Sequence, residues 1–141
     1  MRLSPEDARA RLAANVHGVL CTLHPDRGPD PQPVVYAVRD DHVGIPIDSV
    51  KPKSATRLRR EDNLESDPRA ALLVERWDPT DWSGLWWVRV HLHHVADPPS
   101  SVIEELADLL SRTVAQYVDK PFHRVLVFQV VTVSGWMASE S

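Results

Sequence analysis

Three stretches decide the fold class: Gly18-Val19-Leu20-Cys21-Thr22-Leu23-His24, Gln32-Pro33-Val34-Val35-Tyr36-Ala37-Val38, and Val43-Gly44-Ile45-Pro46-Ile47. Each is a short run rich in apolar and β-branched residues. The turn formers Pro25-Asp26-Arg27-Gly28-Pro29 and Arg39-Asp40-Asp41 separate them. Three short strands joined by short turns predict an antiparallel meander. Pro33 falls near the start of its strand, where a missing N–H is tolerated. Pro46 would break a fully hydrogen-bonded central strand, so its strand is expected at an edge or bulged there.

Strands continue outward from that meander. Arg69 to Arg76 reads as a strand, with Ala71, Leu72, Leu73 and Val74 expected to be buried on both faces for part of its length. Leu85 to Ala96 reads as a long strand. Arg124 to Val133 reads as the last, with Val125, Val127, Gln129, Val131 and Val133 on one face and Leu126, Phe128, Val130 and Thr132 on the other. Both of its faces are largely apolar, so it should be central or lie beneath a helix or a partner subunit.

Helices punctuate the strands. Ser4-Pro5-Glu6-Asp7 is a helix start, with Ser4 as cap and Pro5 pre-set at the first helical position; Ala8, Leu12 and Val16 mark one face. A second, short helix is predicted from Ser54 or Thr56 to near Asn63. A third should follow Asp97-Pro98-Pro99, with Ser101 and Glu104 as a capping box and Val102, Leu106, Leu109, Leu110, Thr113 and Tyr117 along its apolar face. Six or seven short strands with two to three helices predict a mainly β, closed or nearly closed antiparallel barrel forming one domain over residues 1–141.

Composition narrows the function classes. The chain has 141 residues, a net charge of -4 and a single cysteine, Cys21. An acidic balance argues against a general nucleic-acid binder, which must neutralise several phosphates. One cysteine excludes an internal disulfide framework and fits a reducing cytoplasm. No run approaches the roughly 20 apolar residues needed to span a bilayer, and none reads as a secretion signal. Against that acidic background, Lys51-Pro52-Lys53-Ser54-Ala55-Thr56-Arg57-Leu58-Arg59-Arg60 carries five positive charges in ten residues. Basic residues and small hydroxyls at a strand-to-helix junction suit an anion. The same stretch also reads as a basic surface helix facing water.

The motifs in order resemble a known family. Gly18 to Leu23, a turn, then Pro33-Val34-Val35-Tyr36 resemble the opening strands of flavin- and deazaflavin-binding split β-barrel proteins, which include pyridoxamine-phosphate-oxidase-like enzymes and actinobacterial F420-dependent reductases. Lys51-Pro52-Lys53, Arg57-Leu58-Arg59-Arg60, Asn63 and Asp67-Pro68-Arg69-Ala70 look like that family's phosphate-binding segment and following strand. Trp82-Ser83-Gly84-Leu85-Trp86-Trp87-Val88-Arg89 and Ser134-Gly135-Trp136 resemble the actinobacterial subgroup. Arg89-Val90-His91-Leu92-His93-His94-Val95 departs from the subgroup, lacking its glycine and one arginine.

The resemblance implies a split β-barrel of six to seven strands and a homodimer with a cofactor groove at the subunit interface. It implies coenzyme F420, or FMN in its place, held by Lys51, Lys53, Ser54, Thr56 and Arg57 at the phosphate end. The ring system would lie against Pro33, Val34 and Trp87. The activity implied is an F420-dependent oxidoreductase acting by hydride transfer on a small organic molecule. The alternatives are a non-catalytic carrier of the same cofactors and a haem-binding split-barrel protein using His91, His93 or His94.

Neighbouring residues on a strand point to opposite faces, so Trp86 and Trp87 should not share one pocket wall. His91 and His93 share a face but have no third ligand at a telling spacing, and no metal site is expected. Tyr36 qualifies as a proton donor only if it faces the groove; otherwise it belongs to the core. No catalytic acid is nominated.

Overall fold

The computed structural model describes residues 1–48, 59–120 and 122–139. Seven antiparallel strands form one curled sheet, a half-barrel flanked by three helices. The strands are β1 (His17–His24), β2 (Gly28–Val35), β3 (Ala37–Arg39), β4 (His42–Asp48), β5 (Arg69–Arg76), β6 (Trp86–Val95) and β7 (Phe122–Met137). The helices are α1 (Pro5–Ala13), α2 (Arg59–Ser66) and α3 (Ser100–Thr113). The sheet runs in the order β2-β1-β5-β6-β7-β4-β3. This is the mainly β split-barrel architecture expected from the strand pattern and the resemblance.

The second predicted strand divides in two. Its first part pairs with β1 and its last part with β4, because the chain changes partner at Tyr36. Tyr36 makes the corner. Its N–H donates to Val16 O at 2.9 Å, and its buried hydroxyl donates to Leu12 O at 2.6 Å. Strand β2 also begins earlier than expected, at Gly28. Pro33 is therefore near the middle of the strand, within a Pro29, Pro31, Pro33 series. That series fits an edge strand, where alternate N–H groups point away from the ladder and can be missing.

Pro46 obeys the same rule. Strand β3 covers β4 only from His42 to Gly44, so among the described residues no strand pairs with Pro46 on the side of β4 away from β7.

Strand β7 is longer than predicted and does not keep one face throughout. His91 pairs with Thr132 but Leu92 pairs with Val130, leaving Val131 as an extra residue. Such a bulge reverses the alternation beyond it. Leu126, Phe128 and Val130 point into the main core, Val133 packs against that core after the bulge, and Val131 is 61% exposed. The other face of the strand's first half, Val125 and Val127, packs beneath α3 with Leu106 and Leu110. The strand is thus covered on both faces only where the helix lies. Gly44 permits the close seating of α3: a Cβ there would lie 2.9 Å from Leu106 Cβ.

Four further expectations change. Strand β5 buries Ala70, Leu72 and Val74 but leaves Leu73 40% exposed, so only one of its faces is core. Helix α3 starts after Pro99 with no side-chain cap, so Ser101 and Glu104 form no capping box. Helix α1 ends at Ala13, with Ser4 capping it through Asp7 N at 3.1 Å; Val16 lies beyond it and is exposed. Helix α2 runs to Ser66, three residues past its predicted end. Among the described residues no helix is long and apolar enough to cross a membrane.

Candidate functional site

Lys51, Lys53, Ser54, Thr56 and Arg57 lie outside the described residues. The nearest described residues before and after them in the chain are Asp48 and Arg59. Asp48 ends β4 beside Phe122 of β7, and Arg59 opens α2. Arg60, part of the stretch that also read as a basic surface helix facing water, is half-buried, and its guanidinium donates to Gln32 Oε1 of β2 at 2.9 Å. In sequence the basic segment lies between the end of β4 and this helix.

The seating of α2 is polar. Helix α2 buries Leu64 together with Glu61 and Asn63. Asn63 Nδ2 donates to Thr22 Oγ1 and to Asp30 Oδ2, both at 3.0 Å. Glu61 accepts from Arg124 of β7 with both carboxylate oxygens, at 2.8 and 2.6 Å. Asp30 is held below the usual carboxylate range chiefly by the Asn63 bond, with Arg27 adding to it. Sequence reading had no means of finding these ties. Thr22 and Asn63 are 41 positions apart, Glu61 and Arg124 are 63 apart, and no local spacing connects them.

Two depressions, of about 580 and 760 Å³, share Glu61, His94, Ala96 and Leu126 and form one cleft between α2 and the start of β7. His94 is half-buried there, 5.4 Å ring to ring from Phe128. Burial, then neighbouring His93, lowers its pKa, against an opposing pull from Glu61. The shift favours the neutral imidazole, the form that ligates metals. His91 and His93 stand exposed on the outer face of β6. Among the described residues no three His, Cys, Asp or Glu side chains gather as a metal site.

The three other nominated residues separate. Val34 is a core side chain, leaving only its main chain for a ligand. Pro33 is exposed on the outer face of the edge strand. Trp87 is half-buried on the same outer face of β6, in a shallow depression of about 320 Å³ with Leu73, Glu75, Leu85 and Arg89. The Arg89 guanidinium lies 5.2 Å from the Trp87 ring centre. Trp86 points the opposite way, packing on the core with Arg11 5.7 Å from its ring. The pair therefore divides between the two faces of the sheet. Tyr36 is buried beneath α1 and faces no groove.

Around Trp87 the outer face is apolar and open. The cross-strand row Pro33, Val19, Leu73, Arg89 crosses β2, β1, β5 and β6. Val19 is 38% exposed. Strands lie about 4.8 Å apart, so Pro33 and the β6 residues are about 14 Å apart across this face. One three-ring heterocycle cannot reach from Pro33 to Trp87 of the same chain.

No protein-family profile matches this chain, and no curated protein matches it. Solved structures do. A FAD-binding protein from Mesorhizobium loti is 20% identical, with 99% of this chain and 98% of that one aligned and a TM-score of 0.74. An FMN-binding protein from Syntrophomonas wolfei is 17% identical over 96% of this chain and 88% of that one, with a TM-score of 0.69. A heme binding protein from Mycobacterium smegmatis is 18% identical over 96% of this chain but 55% of its own, with a TM-score of 0.71. At these identities the likeness establishes the shared fold.

Proposed function

We propose that the protein binds a flavin-type cofactor, FMN or deazaflavin F420, as a homodimer and uses it to reduce a small organic molecule. One observation carries the reading: an acidic chain leaves an apolar sheet face open around Val19, Leu73 and the Trp87 depression. Such a face suits a planar ring and a partner subunit together. The described residues fit the ring end of the group. Trp87 offers an aromatic plane, Leu73 and Leu85 offer apolar walls, and Arg89 places a cation beside them. Lys51, Lys53, Ser54, Thr56 and Arg57 are the candidates for the phosphate end. The two-electron chemistry would come from the bound flavin or deazaflavin. The chain's part is to bind and orient it and to exclude water with its apolar face. A carrier without turnover uses the same surfaces and differs only in substrate reduction. The FAD- and FMN-binding neighbours support the cofactor class.

The test is a fluorescence titration with FMN and with F420, on the wild type and on Trp87→Ala and the pair Lys53→Ala, Arg57→Ala. Micromolar binding, weakened in both variants, is expected. Failure of the wild type to bind either cofactor refutes the reading. Binding without turnover on a panel of electron-poor C=C and C=N substrates selects the carrier.

A second reading has its own observation. His94 lines both depressions of the cleft, half-buried beside Phe128, and burial lowers its pKa, whereas His93 reaches only one of them and is exposed; a heme binding protein shares the fold. It predicts a Soret band on haem addition that His94→Ala removes and His91→Ala leaves. No haem uptake at all disposes of it.

A further inference from the structure

His24 ends β1, and its imidazole does what an asparagine commonly does in a turn. Its Nδ1 accepts the main-chain N–H groups of Asp26 and Arg27, both at 3.1 Å. An imidazole nitrogen accepts only while it carries no proton. The turn so formed sets Arg27, whose guanidinium reaches Asp30 Oδ2 at 2.9 Å. The same oxygen accepts from Asn63, which is buried on α2 and also donates to buried Thr22. Both hydrogens of the Asn63 amide are committed to the β1–β2 hairpin. One continuous polar chain thus links a titratable side chain in a turn to the seating of a helix.

The charged groups around this chain come from several elements. Asp26 and Arg27 stand in the turn, and Asp30 on β2 is electrostatically coupled to His24. On α2, Asn63 is neutral, and Arg60 is directed at Gln32 further along β2. At the start of β5, Asp67 is bonded to Arg69 through both carboxylate oxygens, at 3.1 and 2.7 Å.

We propose that the His24 turn is a proton-sensitive latch on α2. With His24 neutral, the turn, Arg27, Asp30 and Asn63 hold the helix to the hairpin. With His24 protonated, both acceptor bonds are lost, Arg27 is freed from its set position, and the hold on α2 loosens. The latch is independent of any cofactor, and its test needs none.

The experiment is amide hydrogen exchange, expressed as protection factors, at pH 8 and pH 5, which bracket the range over which histidine side chains change charge. In the wild type, protection at Asp26 and Arg27 should fall about fivefold to tenfold at the lower pH, as expected for bonds worth about 1 kcal/mol each. The amides of residues 61–66 should fall with it. His24→Asn keeps an acceptor oxygen in the same place without a proton to gain, and should hold protection level between the two pH values. Asn63→Ala should leave the turn responsive and uncouple α2 from it. Unchanged turn protection in the wild type overturns the proposal, as does an equal fall in His24→Asn. A turn that responds while α2 does not overturns the coupling.

Discussion

Replacing Tyr36 by phenylalanine removes one oxygen from a side chain with no solvent exposure. That hydroxyl donates to Leu12 O at 2.6 Å, near the end of α1. Asn15 N also reaches that carbonyl, but at 3.3 Å, so the acceptor keeps only a long bond. Leaving a buried acceptor poorly satisfied should cost about 1–2 kcal/mol. For a chain of this size, each kcal/mol shifts Tm by about 2–4 °C, so Tm should drop by about 2–8 °C. Tyr36→Ala adds a cavity and should cost about 3–5 kcal/mol. Thermal and urea unfolding followed by tryptophan fluorescence would measure both. Burial raises the Tyr36 pKa above that of the unfolded chain. The group's contribution is therefore full below the ordinary tyrosine value of about 10 and lost as pH climbs through the folded one. Tyr36→Phe should flatten that alkaline loss. An unchanged Tm in Tyr36→Phe refutes the corner role. A variant that keeps its Tm but loses turnover would make Tyr36 a proton donor after all.

Other outcomes test separate parts of the structure. Leu73→Asp places a charge in the open apolar face, at a residue 40% exposed in the single chain, and sedimentation should report a shift from the proposed dimer to monomer. Gly44→Ala puts a Cβ 2.9 Å from Leu106 Cβ, and overpacking should lower stability by about 1–3 kcal/mol in urea titrations. Asp67 is held at about 2 by its hydrogen bonds to Arg69, so its contribution is present above the unfolded value of about 3.9 and is lost as pH falls towards 2. Urea midpoints from pH 5 to pH 2 should fall less steeply in Asp67→Asn than in the wild type.

What the sequence revealed was periodic, and what it hid was long-range. Strands β1, β5 and β6 stood out because apolar runs of strand length sit between turn formers. Pro46 even announced that β3 would stop short of it. The break at Tyr36 was hidden because both halves of Gln32 to Val38 carry strand-like residues; only a change of hydrogen-bond partner separates them. The β7 bulge was hidden for a similar reason. Val130 and Val131 are chemically alike, and nothing local says which one drops out of the ladder. For the site, the basic segment is a compositional signal, whereas the burial of Glu61 and Asn63 depends on Arg124, Thr22 and Asp30 arriving from other strands. A polar residue destined for burial looks, in sequence, like a surface residue.

The separation across the outer face constrains any use of the nominated ring contacts. Pro33 and Trp87 share a face but are three strands apart, and Val34 turns inward. Their joint contact with one ring therefore requires two chains, with the edge strand of one subunit set opposite the Trp87 depression of its partner. A two-fold interface would make two such sites at once, since each chain offers both halves. The apolar row through Val19 and Leu73 lies between the halves, where a partner would cover it. On this geometry, Leu73→Asp, which puts a charge both in that row and in the wall of the Trp87 depression, must also abolish cofactor binding. Cofactor retained by a Leu73→Asp monomer would mean that the ring is held within one chain, and Pro33 and Trp87 could not both be its contacts.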